Sequence, residues 1–279
     1  MISSRPRPLT TIPRLRPTFK PERLRRRKAV SIGIATICTD GLVIAADRQI
    51  TNPAGFKFYE CKLLKIPLSE ERGTLVLGYA GSPDTMRVVL EALRKKFEHQ
   101  DKGREQIWED LQEVLNALLP KRSKDVIQTL CGFCETGTFH ILKSFNKEIS
   151  PVPVWDCVGC ADSALIRYLG SIFLENRVHL PLFRAVPICI YLVAQAKKYI
   201  EGCGGSTDLI VLTAKGQAIE ETGGTLFDTA CDVVELYLNG VLTSATEPGV
   251  SVEYVQHLIE ALRNVIESQT GILTAFLPK

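Results

Sequence analysis

The sequence predicts an α+β fold in which two antiparallel sheets pack face to face and carry helices on both outer surfaces. Three observations carry that expectation. Ser31 to Thr51, SIGIATICTDGLVIAADRQIT, reads as strand, tight turn, strand. Further paired strands recur along the chain, with Glu135-Thr136-Gly137 and Ala214-Lys215-Gly216 as turns. Between them lie pairs of helices with single apolar faces, so the order runs strands, two helices, strands, two helices, strands, helix.

Taken in order, residues 1–28 come first. They hold ten Arg/Lys against one acid (Glu22) and five of the fifteen prolines. Such a segment cannot bury enough apolar surface to offset its ordering entropy, so disorder is expected. A binding tail, a targeting peptide and a propeptide (or a stretch upstream of the true start) compete to explain it. The folded domain is expected over 29–279, with a C-terminal helical extension from about 241.

Strands are expected at about 30–39 and 42–49. Asp40-Gly41 forms their turn, because Gly takes positive φ without a Cβ clash. The second run, Leu42-Val43-Ile44-Ala45-Ala46, ends in Asp47-Arg48. A carboxylate closing a buried strand needs a partner, since an unpaired buried charge is costly. Strands at 62–66 and 74–80 follow. Gly81-Ser82-Pro83 opens a helix with Pro at a favoured early position; Met86, Val89, Leu90, Leu93 and Phe97 recur at helical spacing. A second helix over 105–119 shows Ile107, Trp108, Leu111, Val114, Leu115, Leu118 and Leu119 on one face, and both stripes are read as sheet-packing faces. Strands return at 126–134, 138–145 and 153–159, helices at 161–175 and 183–201, and strands at 208–213 and 217–221. Helices at 225–239 and 251–268 close the chain.

Several functions are excluded early. No apolar run approaches the roughly 18 residues of a membrane span. The basic excess sits in residues 1–28 and leaves a net acidic body, so no nucleic-acid surface is expected. Nine cysteines without a secretory signal point to a reducing, cytoplasmic setting with packed thiols. Cys131/Cys134 and Cys157/Cys160 form two CxxC pairs 22 residues apart. Zinc ribbons typically separate such pairs by about 15–20 residues, and strand alternation sends the members of each pair to opposite faces. No metal or cofactor is therefore expected. His99, His140, His179 and His257 lack ligand spacing. No nucleotide-binding fingerprint occurs, and Gly202-Cys-Gly-Gly-Ser suits a close backbone approach to a cleft better than a phosphate loop.

SIGIATICTDGLVIAADRQIT, YECKLLKI, GYAGSPDT, DCVGC and GCGGSTDLIVLTAKG, in that order over roughly 31–240, resemble the proteasome β-type subunits and their bacterial relatives, which are N-terminal nucleophile hydrolases. The resemblance implies the four-layer αββα sandwich. It places the nucleophile at Ser31, the active-site aspartate at Asp47, the active-site lysine at Lys62 and the oxyanion-hole glycine at Gly81. Thr51, Cys160 and Cys203 fall at pocket-lining or accessory positions. The nucleophile's own α-amine would be its base, so Ser31 must become N-terminal, by processing after Val30 or by initiation at Val30. The family also implies a peptide or unfolded-protein substrate, a homo-oligomeric ring and an ATP-dependent unfoldase as partner. This chain departs from the family pattern at Val30 (usually Gly), at Cys160 and Cys203 (usually Ser), and at Ile200, where a carboxylate is usual and Glu201 lies one step away. Those departures define the alternative, a catalytically inactive structural or assembly subunit of the same fold. A redox-sensitive Cys160–Cys203 thiol pair is a further reading.

Overall fold

The computed structural model describes residues 31–51, 56–69, 72–119, 126–159, 164–175, 179–214 and 216–224. Cys160, residues 1–28, both expected C-terminal helices and the extension from 241 lie outside the described residues.

Apolar residues alternate on both faces of nearly every central strand, and that pattern dictates the layering. In β1 (Ile32–Ile37) and β2 (Gly41–Asp47) every residue is buried. Ile32, Ile34, Val43 and Ala45 point to one side; Ala35, Ile37, Leu42, Ile44 and Ala46 point to the other. A strand covered on both faces reads as a continuous apolar run, as this one does. Two short strands follow, β3 (Gln49–Thr51) and β4 (Lys57–Tyr59), paired only with each other. Then come β5 (Leu63–Pro67), β6 (Thr74–Ala80), α1 (Pro83–Phe97), α2 (Arg104–Leu118), β7 (Gln128–Glu135), β8 (Thr138–Phe145), β9 (Glu148–Val152) and β10 (Trp155–Gly159). After these run α3 (Ala164–Gly170), which continues into a π-helical turn (Ser171–Glu175), then α4 (Leu182–Tyr199), β11 (Thr207–Thr213) and β12 (Ala218–Gly224).

Sheet I has the order β10-β1-β2-β11-β12 and sheet II the order β5-β6-β7-β8-β9; all pairings are antiparallel. The inner core joins Ala35, Leu42, Ile44 and Ile210 of sheet I to Val76, Leu130 and Ile141 of sheet II. Outside sheet I, Ile34, Val43 and Val211 pack against Ala185, Cys189 and Val193 of α4. Outside sheet II, Leu75, Leu77 and Phe133 pack against Met86, Val89 and Leu93 of α1 and Ile107 and Leu111 of α2. The four-layer αββα sandwich is thus the fold.

Some local expectations change. Gly41 is not at positive φ. The turn spans Cys38–Gly41, closed by Cys38 N–H on the Gly41 carbonyl (2.7 Å). Gly41 is needed instead for close approach: a Cβ there would lie 2.5 Å from the Leu212 carbonyl oxygen. The expected strand over 42–49 breaks at Arg48, whose N–H bonds Ser206 instead of continuing the ladder. The helix expected over 161–175 tightens to α3 and the π-turn in its described part. Cys131 faces α1 and α2 while Cys134 faces the inter-sheet core, so this CxxC pair cannot close on one ion.

Candidate functional site

The site forms where β1 begins, β2 ends and β5 begins. Asp47, the last residue of β2, and Lys62, immediately before β5, are both fully inaccessible to solvent. Lys62 Nζ donates to Asp47 Oδ1 (2.5 Å) and to the Gln49 carbonyl (2.5 Å). The Lys62 carbonyl accepts from Tyr79 N–H (3.2 Å), which fixes the lysine backbone against β6. Asp47 Oδ1 also accepts from Ile32 N–H (2.9 Å), and Oδ2 accepts from Gly204 N–H (3.0 Å). Both carboxylate oxygens are therefore engaged, as a charge buried this deeply requires. Burial pushes the Asp47 carboxyl up from its ordinary value; the Lys62 ammonium and the N–H groups of Ile32 and Gly204 pull against it.

The bond from Ile32 ties the pair to the residue before β1. That residue is Ser31, 3 % exposed. The Gly204 contact comes from the Gly-rich turn, which wraps the end of β2: Gln49 N–H donates to the Gly204 carbonyl (2.9 Å) and Arg48 N–H to the Ser206 carbonyl (3.1 Å). A second ion pair, Arg48 to the fully buried Asp208 (3.0 Å), holds the chain between the two groups that receive the Lys62 ammonium.

The other sequence-predicted positions are more dispersed. Gly81 follows β6 at φ +136°, packed so that a Cβ would lie 2.6 Å from the Val126 carbonyl oxygen. Thr51 ends β3, its hydroxyl within 3.4 Å of Gln49 Nε2. Cys203 is buried in the core between sheet I and α4, beside Gly204. Sequence reasoning did not single out the Gln49 carbonyl or the Gly204 N–H. Both are backbone groups whose chemistry no side chain announces; the glycines at 202–205 were the only available signal.

Among the described residues, no three His, Cys, Asp or Glu side chains gather to hold a metal ion, and no helix is long and apolar enough to cross a membrane.

Two stacked antiparallel sheets between helical layers give the sandwich of the N-terminal nucleophile hydrolase type, the fold of proteasome β-type subunits. Solved structures with this fold include Anbu proteins. A Gly-1 mutant of Anbu from Hyphomicrobium sp. strain MC1 matches with a TM-score of 0.66 at 12% identity, over 78% of this chain and 100% of that one. Anbu, an ancestral β-subunit, from Yersinia bercovieri matches with 0.64 at 15% identity, over 79% and 99%. The helical assembly of the Anbu complex from Pseudomonas aeruginosa matches with 0.62 at 14% identity, over 80% and 99%. No family model and no curated protein matches the chain. At these identities the likeness is one of fold.

Proposed function

We propose that this chain is a proteasome-like N-terminal nucleophile hydrolase that cleaves peptide bonds through an acyl-enzyme on Ser31. The observation that carries the proposal is the fully buried Asp47–Lys62 pair, tied to the start of β1 through the Ile32 N–H.

Removal of residues 1–30 frees the Ser31 α-amine. The amine takes the hydroxyl proton as Oγ attacks the scissile carbonyl. The Lys62 ammonium stabilises the developing alkoxide, and Asp47 and the Gln49 carbonyl hold that ammonium in place. The Gly81 N–H donates to the tetrahedral oxyanion, where a fixed donor in a dry site counts most. The C–N bond then breaks, the amine passes its proton to the leaving group, and water attacks the acyl ester by the reverse path. Peptides or unfolded chains are the substrates. A homo-oligomer is the working form, in keeping with the assembled Anbu complex, the cytoplasm is its compartment, and an ATP-dependent unfoldase is the candidate supplier of substrate.

Intact mass of the natively expressed protein, with turnover of fluorogenic peptides, tests the reading. A chain beginning at Ser31, whose turnover disappears in Ser31→Ala, is expected. A chain that keeps residues 1–30 removes the nucleophile. One observation favours the second reading, a structural subunit without turnover: the family's accessory serine is Cys203 here, and a thiol is a poor hydrogen-bonding substitute for a hydroxyl. In that case Ser31→Ala changes nothing.

A further inference from the structure

We propose that Gln128 is a positioning residue that registers the nucleophile strand of sheet I against the oxyanion turn of sheet II. This rests on the assignments of Ser31 and Gly81 above.

Gln128 opens β7 in sheet II, with its backbone opposite Ala80, the residue before Gly81. Its side chain is 3 % exposed and crosses to sheet I, where Oε1 accepts the Gly159 N–H. Gly159 ends β10 opposite Ile32. Its φ is +83°, and a Cβ there would lie 2.0 Å from the Ser31 carbonyl oxygen and 2.9 Å from the Ala80 Cβ. Gly81 in turn sits against the chain entering β7: a Cβ there would lie 2.6 Å from the Val126 carbonyl oxygen and 3.1 Å from Ile127 Cα. The backbones at 31, 80–81, 126–128 and 159 thus converge, and one side-chain amide links them.

Directionality is the reason an amide is used there. The inter-sheet core is apolar, and apolar burial is non-directional, so it fixes the distance between sheets better than their lateral register. A hydrogen bond is lost with small displacements or angular errors. Attack by a nucleophile on sheet I toward a donor on sheet II needs that register, since a displacement of about 1 Å can cost on the order of a hundredfold in rate. The Gly159 N–H is also a buried donor, which is costly to leave unpaired. A second polar bridge between the sheets, Lys143 Nζ to Asp156 Oδ1 (2.9 Å), lies opposite Ala35, three residues along β1 from Ile32. It supplies a control that joins the same sheets away from Ser31.

The test compares Gln128→Met, Gln128→Glu and Lys143→Met in the full chain. Gln128→Met keeps the length and removes the acceptor. Its kcat is expected to fall about tenfold with KM within about twofold, with faster hydrogen exchange at the Gly159 amide. Lys143→Met is expected to lower Tm without that kcat loss. Gln128→Glu keeps an acceptor oxygen in either protonation state, so its kcat and its Gly159 amide protection are expected to be retained, or lost, together. This arm stands alone if Gln128→Met does not fold, and a kcat that changes independently of Gly159 exchange then overturns the proposal. Wild-type kcat in folded Gln128→Met, or an equal loss in Lys143→Met, also overturns it. If the wild type shows no Ser31-dependent turnover, the hydrolase reading fails separately. The Gly159 amide then decides for Gln128: faster exchange in Gln128→Met supports the tie, and unchanged exchange refutes it.

Discussion

Lys62 Nζ lies 2.5 Å from Asp47 Oδ1, and neither residue has any surface in contact with solvent. Breaking one half of such a pair leaves an uncompensated charge in the interior, at a cost of about 3–5 kcal/mol. Asp47→Leu and Lys62→Met are each expected to lose about that much in urea unfolding, whereas the double variant regains the part due to the unpaired charge and keeps the cost of the orphaned Ile32 and Gly204 N–H groups. Activity, if Ser31 is the nucleophile, is lost in all three. Strictly additive destabilisation would mean that the two side chains do not depend on each other. The cycle therefore separates the stability of the pair from its proposed chemistry.

A pH dependence follows from His140 on β8. Its Nε2 lies 3.8 Å from Glu135 Oε2 and its ring packs against Phe133. Burial, with the Arg104 guanidinium, holds its pKa below the ordinary 6.5 against the pull of Glu135. The folded state therefore binds this proton less tightly than the unfolded chain does. The resulting stability is fully present above pH 6.5 and is lost as pH falls through the lower folded value. His140→Gln is expected to flatten the urea midpoint over that interval. A separate loss begins below about 3.8, because against burial the Lys102 and Lys96 ammonium groups lower the Asp110 carboxyl. A midpoint in His140→Gln that still falls just below pH 6.5 would assign the effect to another group.

How much of this was legible in the sequence depends on which atoms do the work. Strands buried on both faces, such as β2 and β6, announce themselves as apolar runs, and α1 and α2 show clean stripes. By contrast, β4 is three residues long with no buried residue, and β9 carries Pro151 at a sheet edge; neither has a periodicity to read. Asp47 stood out because a charge closing an apolar strand is expensive. Lys62 stood out only through resemblance, because one lysine in CKLLKI looks like another, and Lys65 of the same segment is a surface ion-pair partner of Glu220. The Gln49 carbonyl and the Gly204 and Gly159 N–H groups carry no side-chain signature. Gln128 reads as an ordinary polar residue at a strand entrance until tertiary packing places sheet I opposite it.

Thiol chemistry should follow burial. Burial pushes the Cys189 thiol up to about 12 and raises Cys38 and Cys131 well above the ordinary 9.0. Cys61, beside Lys62, is only partly buried. Since the thiolate is the reactive form, brief iodoacetamide treatment at about pH 8 should modify Cys61 before Cys38, Cys131 or Cys189, with the last three reacting only as the protein unfolds. Peptide mapping of the quenched sample gives the order. Early labelling of Cys131 would show that the layer between sheet II and α1–α2 opens in the native state.

Asp40 tests a link across the outer layer. α4 starts at Leu182 after Pro181, which offers no side-chain cap. The first N–H of the helix is instead met by Asp40 Oδ1 at 2.8 Å, from the β1–β2 turn. This carboxylate fills the capping role from a distant part of the chain, and its negative charge also suits a helix N-terminus. Asp40→Ala is expected to cost about 1 kcal/mol, measured by urea unfolding, whereas Asp40→Asn keeps an acceptor and loses only the charge term, about 0.3–1 kcal/mol at low salt. Added salt should narrow the gap between wild type and Asp40→Asn while leaving most of the Asp40→Ala loss in place, because screening weakens the charge and leaves the hydrogen bond. If Asp40→Ala unfolds at the wild-type midpoint, the N-terminus of α4 is held by the packing of Leu182 and Ala185 alone.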